Sequence, residues 1–183
     1  MPRFEKEDAH EVQDELHNNY KGLVWALISK GKIFEKMAQH PIIVNVSSII
    51  LGQTAQISSL AANTVLPGMK GQLPHVDYPY YRNFLPKEDP YILDNAPQLA
   101  TQFITLLTDF TLENGATALR PYSHIRPRYP DDPADFFANS IQMTGKAGDM
   151  VIFAGAIQHC AMENGSKEYR SGILQHMAPS YVK

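Results

Sequence analysis

Cysteine is nearly absent from this sequence: Cys160 stands alone among 183 residues. One thiol cannot close an internal disulfide, so a secreted disulfide scaffold is excluded, as is a zinc site of four cysteines. An excess of positive charge is missing too. The 16 Lys and Arg face 19 Asp and Glu, a net charge of −3, which offers little to nucleic acid or an anionic membrane. No apolar run approaches the roughly 18 residues of a membrane-spanning helix. Residues 1–10 are charged from the outset and lack the apolar core of a signal peptide. The last residues, Ser180-Tyr181-Val182-Lys183, match no prenylation, retention or peroxisomal signal. These absences predict a cytoplasmic protein whose partner is a small molecule, without nucleic acid or membrane.

What is present suits one globular domain. Hydrophobic residues make up 44% of the chain, enough for a sizeable core at this length. Val12, Leu16, Tyr20, Leu23, Val24, Leu27 and Ile28 recur at three- and four-residue steps and predict an amphipathic helix. A short helix is expected over Ile33 to Ala38. Another is expected over Ile42 to Leu51, opened by Pro41 and closed by Gly52. After Gly52 the pattern turns to short strands: Gln56 to Val65, Phe103 to Thr108, Ala116 to Arg120, Asp149 to Phe153 and Tyr169 to His176. Turn signals separate them at Pro67-Gly68, Glu113-Asn114-Gly115, Pro127 to Pro133, Gly145 to Gly148 and Asn164-Gly165. The stretch from Tyr78 to Pro97 is irregular and rich in Tyr and Pro, the character of a functional or mobile loop. The expectation is a single domain, residues 1–183, with a helical part over 1–52 and a β-sandwich or barrel over 53–183.

Chemistry concentrates in a few residues. Of seven histidines, His10, His17 and His40 sit among charges and read as solvated surface residues. His75-Val76-Asp77 is different, because residues i and i+2 of an extended segment share a face. An imidazole and a carboxylate side by side are two thirds of the two-histidine, one-carboxylate cage that holds non-haem Fe(II). Asn164-Gly165 is a strong hairpin signal. A two-residue turn there places His159 directly opposite Arg170, a metal ligand beside a guanidinium that could grip a dicarboxylate. A one-residue slip of the turn would separate them, leaving an ordinary hairpin. Cys160 neighbours His159 but points to the opposite face of a strand, so it reads as a small core residue rather than half of a Cys/His dyad.

At these residues the sequence resembles the phytanoyl-CoA dioxygenase family of Fe(II)/2-oxoglutarate oxygenases. The resemblance runs from about Ile33 to Lys183. Its motifs are Leu60-Ala61-Ala62-Asn63 with Pro67-Gly68, His75-Val76-Asp77-Tyr78-Pro79-Tyr80, Glu113-Asn114-Gly115-Ala116-Thr117, Pro121-Tyr122-Ser123-His124, Gly148-Asp149, His159 and Arg170. It implies a double-stranded β-helix, a jelly-roll barrel of cupin type flanked by N-terminal helices. It implies Fe(II) held by His75, Asp77 and His159, and Arg170 paired with the distal carboxylate of the cosubstrate 2-oxoglutarate. It also implies that Gln72 and Thr117 touch the cosubstrate, although a polar strand residue and a β-branched strand former would equally carry those letters. The implied activity uses O2 to hydroxylate a small metabolite and releases succinate and CO2. Asp77 stands where related halogenases carry alanine or glycine, which favours hydroxylation or a variant such as desaturation. The Tyr78-Tyr80-Tyr81 cluster is expected to wall the substrate or simply to pack.

Departures from the family keep two alternatives open. Ala161 replaces a common Ser or Thr and cannot donate to the cosubstrate. Tyr122 replaces the glycine of a Pro-Gly-Ser-His turn, so that turn is expected to differ. The stretch before His75 is short, as in a reduced member or a fragment. A catalytically inactive binding module of the same fold is therefore one alternative. A zinc hydrolase using the same three ligands is the other, although no water-activating glutamate is evident.

Overall fold

The computed structural model describes residues 22–77, 99–125 and 130–182. Their order is β1 (Leu23–Val24), a 3-10 turn (Leu27–Ser29), α1 (Lys32–Ala38), α2 (Pro41–Leu51), β2 (Ala55–Val65) and β3 (Thr101–Leu106). There follow β4 (Ala118–Leu119), α3 (Pro133–Ala138), β5 (Ile141–Gln142), β6 (Met150–Ala154), β7 (His159–Cys160) and β8 (Arg170–Pro179). All strand pairs are antiparallel and form two sheets, a five-stranded one in the order β1-β2-β8-β3-β6 and a three-stranded one in the order β5-β4-β7. Among the described residues the two face each other across a cavity without closing into one hydrogen-bonded barrel.

The helices begin and end where their termini are chemically satisfied. Pro41 fills the first position of α2, the His40 ring accepts from the Ile42 N–H at 3.3 Å, and Gly52 closes the helix at φ 91°. Ile43, Ser47 and Leu51 then form its buried stripe. Asp132 caps α3 through the Ala134 N–H at 2.8 Å, with Pro133 at the next position. The proline-rich turn expected up to Pro133 therefore ends as the start of a helix.

Strand β8 shows how alternation builds two environments. On one face Ile173 joins Leu27, Ala38 and Leu60, and Met177 joins Ile43, Leu51 and Phe103, so the helices are packed against the sheet. On the other face Arg170, Gly172, Leu174 and His176 line the cavity. Gly172 is required to be small, since a Cβ there would lie 3.2 Å from Phe110 Cζ and 3.3 Å from Ile104 Cγ2. Ile104, Leu106, Phe110, Ala116, Leu119, Phe153 and Ile157 form the core between the sheets. Behind the small sheet Cys160 is fully buried with Ala118 and Phe136, and burial pushes its thiol up to about 12, which fits the expected core role.

Three expectations need correction. Leu23 and Val24 do not continue a helix; they pair with Asn63 and Ala62 of β2. Ala26 then takes a left-handed conformation at φ 55°, which breaks the apolar stripe before Leu27; Val12, Leu16 and Tyr20 lie outside the described residues. The part of the chain before residue 53 is thus not purely helical. Second, Asn164-Gly165 is not a hairpin turn. Gly165 is not at positive φ, whereas a type I′ turn needs it at both central residues. Asn164 is instead fully buried, and its amide donates to the carbonyls of Val65 at 3.1 Å and Glu168 at 2.8 Å. β7 consequently pairs with β4, and Arg170 opens β8 opposite Val65, so His159 and Arg170 belong to different sheets. Third, the turn at Pro121-Tyr122-Ser123-His124 is made by Tyr122 itself entering the left-handed region at φ 64°. It is fastened by Ser123, whose hydroxyl donates to the Arg120 carbonyl at 2.8 Å and accepts from the Gln158 N–H at 2.9 Å.

The Tyr122 side chain is 77% exposed, so little packing offsets the cost of that backbone conformation. Tyr122→Gly is expected to stabilise the chain by about 1 kcal/mol, read as an increase in the denaturation midpoint at unchanged slope. A lower midpoint would show that the turn is not strained.

Candidate active site

The segment from Gly71 to Asp77 lies beside the small sheet as an irregular extra strand. Gly71 makes this possible, because a Cβ at that position would stand 2.5 Å from the Ala161 carbonyl oxygen. The Gln72 N–H donates to that same oxygen at 2.8 Å. Three residues on, His75 and His159 exchange both backbone hydrogen bonds, each at 2.9 Å. A pair of this kind holds its two side chains next to each other, and the two ring centroids are 4.5 Å apart. Asp77 returns to the His75 side two residues later.

Ligand atoms from His75, Asp77 and His159 all lie within 4.8 Å of one another. His75 Nε2 is 3.8 Å from Asp77 Oδ1, and His159 Nε2 is 3.4 Å from Asp77 Oδ2. Each ring is oriented from behind: His75 Nδ1 meets the Leu73 carbonyl at 2.8 Å, and His159 Nδ1 meets the Ile157 carbonyl at 3.0 Å. With Nδ1–H donated to a carbonyl, the Nε2 lone pair is the one left for a metal, the usual arrangement behind ligating histidines. The donor set of two imidazoles and a carboxylate fits a ferrous ion with open positions.

Electrostatics hold the three groups as an unequal set. Burial, helped by the neighbouring His159, lowers the His75 pKa. Burial would likewise lower His159, but its hydrogen bond and attraction to Asp77 outweigh that and raise it. Burial alone would raise Asp77; hydrogen bonding and charge from His159, with His75 and His176, override it and bring the carboxyl down to about 2. Asp77 is therefore a carboxylate throughout the physiological range.

The cavity, about 770 Å3 in volume, is of the size that takes small ligands. Gln72, Thr117 and Arg170 all line it together with His75, Asp77 and His159. Arg170 is 4% exposed. Its guanidinium lies over the Phe110 ring, 4.5 Å from the centroid, and donates to the Thr117 hydroxyl at 3.4 Å. Its Nε has no hydrogen-bond partner, and among the described residues it makes no ion pair. Burial brings its pKa down to about 10, still charged at neutral pH. A buried cation without a counter-charge fits a site for an anion. Gln72 Oε1 accepts from the Ala161 N–H at 3.0 Å, leaving its amide N–H groups as donors. Ala161, lacking a hydroxyl, is thus tied to Gln72 through its backbone.

Two cavity residues carry no motif. Gln102 on β3 donates through its amide to Asp77 Oδ2. It is the one amide side chain of β3 and shares a period-two face with Ile104, which is the signal that marks it. His176 lies opposite Gln102 in the β8–β3 register and shares the cavity face with Arg170 at period two. The mouth is lined by Leu23, Trp25 and Leu73; Trp25 and Leu73 are well exposed. Tyr78, Tyr80 and Tyr81 lie outside the described residues.

Comparison with known proteins follows the same lines. The family model described as phytanoyl-CoA dioxygenase matches residues 3–172. The chain is 33% identical over 117 residues to the dioxygenase cdmD of Talaromyces verruculosus, covering 63% of this chain and 36% of that protein. It is 30% identical over 148 residues to the Fe(II)/2-oxoglutarate-dependent dioxygenase nvfF of Aspergillus novofumigatus, covering 79% and 47%. It thus spans between a third and a half of the length of these relatives. In fold it is similar to EctD from S. alaskensis, solved with 2-oxoglutarate and 5-hydroxyectoine, at a TM-score of 0.72 and 16% identity, covering 98% of this chain and 71% of that one.

The opposed shifts of the two histidines make metal binding proton-linked. Burial lowers His75 while Asp77 raises His159, so of the two rings His159 keeps its proton to higher pH, and a metal ion taking its Nε2 would displace that proton. Calorimetric titration with Mn(II) near pH 6.5 in buffers of different ionisation enthalpy is expected to show net proton release on binding. A binding heat independent of buffer would contradict this arrangement.

Proposed function

The chain belongs to the phytanoyl-CoA dioxygenase family, and on that premise we propose that it is an Fe(II)/2-oxoglutarate-dependent dioxygenase that hydroxylates a small metabolite. The observation that carries the reading is the convergence of His75, Asp77 and His159 on a cavity that also holds a buried guanidinium with no ion pair among the described residues. In this reading the two Nε2 atoms and the Asp77 carboxylate hold Fe(II), and Arg170 receives the far carboxylate of 2-oxoglutarate in a bidentate fork.

Bound Fe(II) would supply the activation of O2, of which one atom enters succinate and the other the hydroxyl group of the product, while CO2 leaves. The chain's own residues orient and enclose. Thr117 and the free donors of Gln72 stand beside the cosubstrate position. Phe110 covers one face of the Arg170 guanidinium, which keeps water from competing for it. Phe153 lies 5.1 Å from the His159 ring, centroid to centroid, and presents an apolar wall there. The exposed Trp25 and Leu73 at the mouth offer apolar surface to the metabolite.

The inactive-module alternative has little support, since metal ligands and buried cation are all present together. The zinc-hydrolase alternative has less. Asp77 is the only carboxylate among the described residues that line the cavity, so none of those residues offers a second one to activate water. We also propose that the whole chain acts as one domain. A reducing, cytoplasmic setting suits both Fe(II) and the free Cys160 thiol.

Asp77→Ala is expected to remain folded and to lose metabolite-stimulated succinate formation by at least about 100-fold. Full turnover in that variant would sink the metal assignment. Arg170→Lys, which keeps the charge but loses the fork, is expected to raise KM for 2-oxoglutarate by about 10-fold or more, the equivalent of one charged hydrogen bond. An unchanged KM would remove Arg170 from cosubstrate binding.

A further inference from the structure

The three proposed ligands are unequally supported. His159 stands in β7, and His75 is bridged to it by two backbone bonds. Asp77 lies beyond that bridge, on a bend outside any strand. On such a segment no strand pairing fixes the backbone that carries the carboxylate, and the carboxylate's orientation decides whether one oxygen or two reach the metal.

Gln102 supplies the missing support. It is buried, 8% exposed, and stands in β3, which is paired on one side with β6 and on the other with β8. Its backbone is therefore fixed on both edges, and alternation aims its side chain into the cavity while Phe103 packs toward the helices. The amide donates to Asp77 Oδ2. This is a contact from the large sheet to a ligand set otherwise carried by the small sheet and the segment beside it.

We infer that Gln102 is a positioning residue for the metal centre: its amide N–H occupies Asp77 Oδ2 and presents Oδ1 to the metal as a single-oxygen ligand. The inference rests on the dioxygenase reading and extends it to a residue that belongs to no motif of the sequence. Its chemistry is that of the outer partners that fix ligating carboxylates. A methionine of similar length would fill the space and donate nothing. A glutamate would fill it and, when ionised, repel Asp77.

The test compares wild type, Gln102→Met, Gln102→Glu and Asp77→Ala by Mn(II) titration. It adds the anaerobic charge-transfer absorption of the Fe(II) complex with 2-oxoglutarate, and circular dichroism to verify folding. Gln102→Met is expected to bind Mn(II) about 10- to 100-fold more weakly than wild type and to shift the charge-transfer band. Gln102→Glu is expected to bind at least as weakly, and it decides the matter if the methionine variant does not fold. Wild-type Mn(II) affinity with an unshifted band in either folded variant would overturn the inference while leaving the dioxygenase reading intact. A folded wild-type chain that binds Mn(II) no better than Asp77→Ala would overturn both.

Discussion

The paired backbone hydrogen bonds between His75 and His159 are the constraint on which the rest depends. They join an irregular segment to the edge of a three-stranded sheet and set two imidazoles side by side without relying on either side chain for the alignment. Gly71 is the local condition for that contact, since any side chain there would meet the Ala161 carbonyl. The carbonyls of Leu73 and Ile157 then fix which nitrogen of each ring faces Asp77. The main chain thus does most of the aiming, and the chemistry of the donor atoms is added to a geometry the backbone has already settled.

The opposite end of the cavity works by deprivation. Arg170 is placed against Phe110 with one hydroxyl as partner and no carboxylate among the described residues. Burying a cation in this way costs stability, and the cost is recovered only when an anion arrives. The same trade-off is visible in the strongly lowered Asp77 and the raised His159, which compensate each other until a metal takes the proton's place. Both ends of the site are therefore less comfortable empty than filled, a state proteins tolerate chiefly where they bind something.

Local features were legible in the sequence and long-range register was not. Pro41, Gly52 and the apolar spacing between them define α2 to within a residue, because capping and periodicity act over a single turn. The long strands β2 and β8 likewise follow from their composition. His75-Val76-Asp77 is readable because period two alone puts both groups on one face. The pairing of His159 is not: Asn164 carries the letters of a hairpin tip, yet it is buried and bonded to Val65 and Glu168, partners that only the folded chain supplies. β4 and β7 are two residues each, too short to leave a pattern. Gln102 leaves only a polar position in β3 for a related reason, since its meaning lies in Asp77, which reaches it from another part of the chain. The apolar stripe over Leu23 to Ile28 misleads because strand pairing with β2 and the left-handed Ala26 override a helical spacing.

The division of the site between two sheets also has a consequence in time. His75 and Asp77 precede His159 and then Arg170 in the sequence, and chains are made from the amino end. Until the later strands dock, the growing polypeptide offers only two of the three proposed ligands. On the proposed reading, the full metal site would form only once the last of these strands has docked.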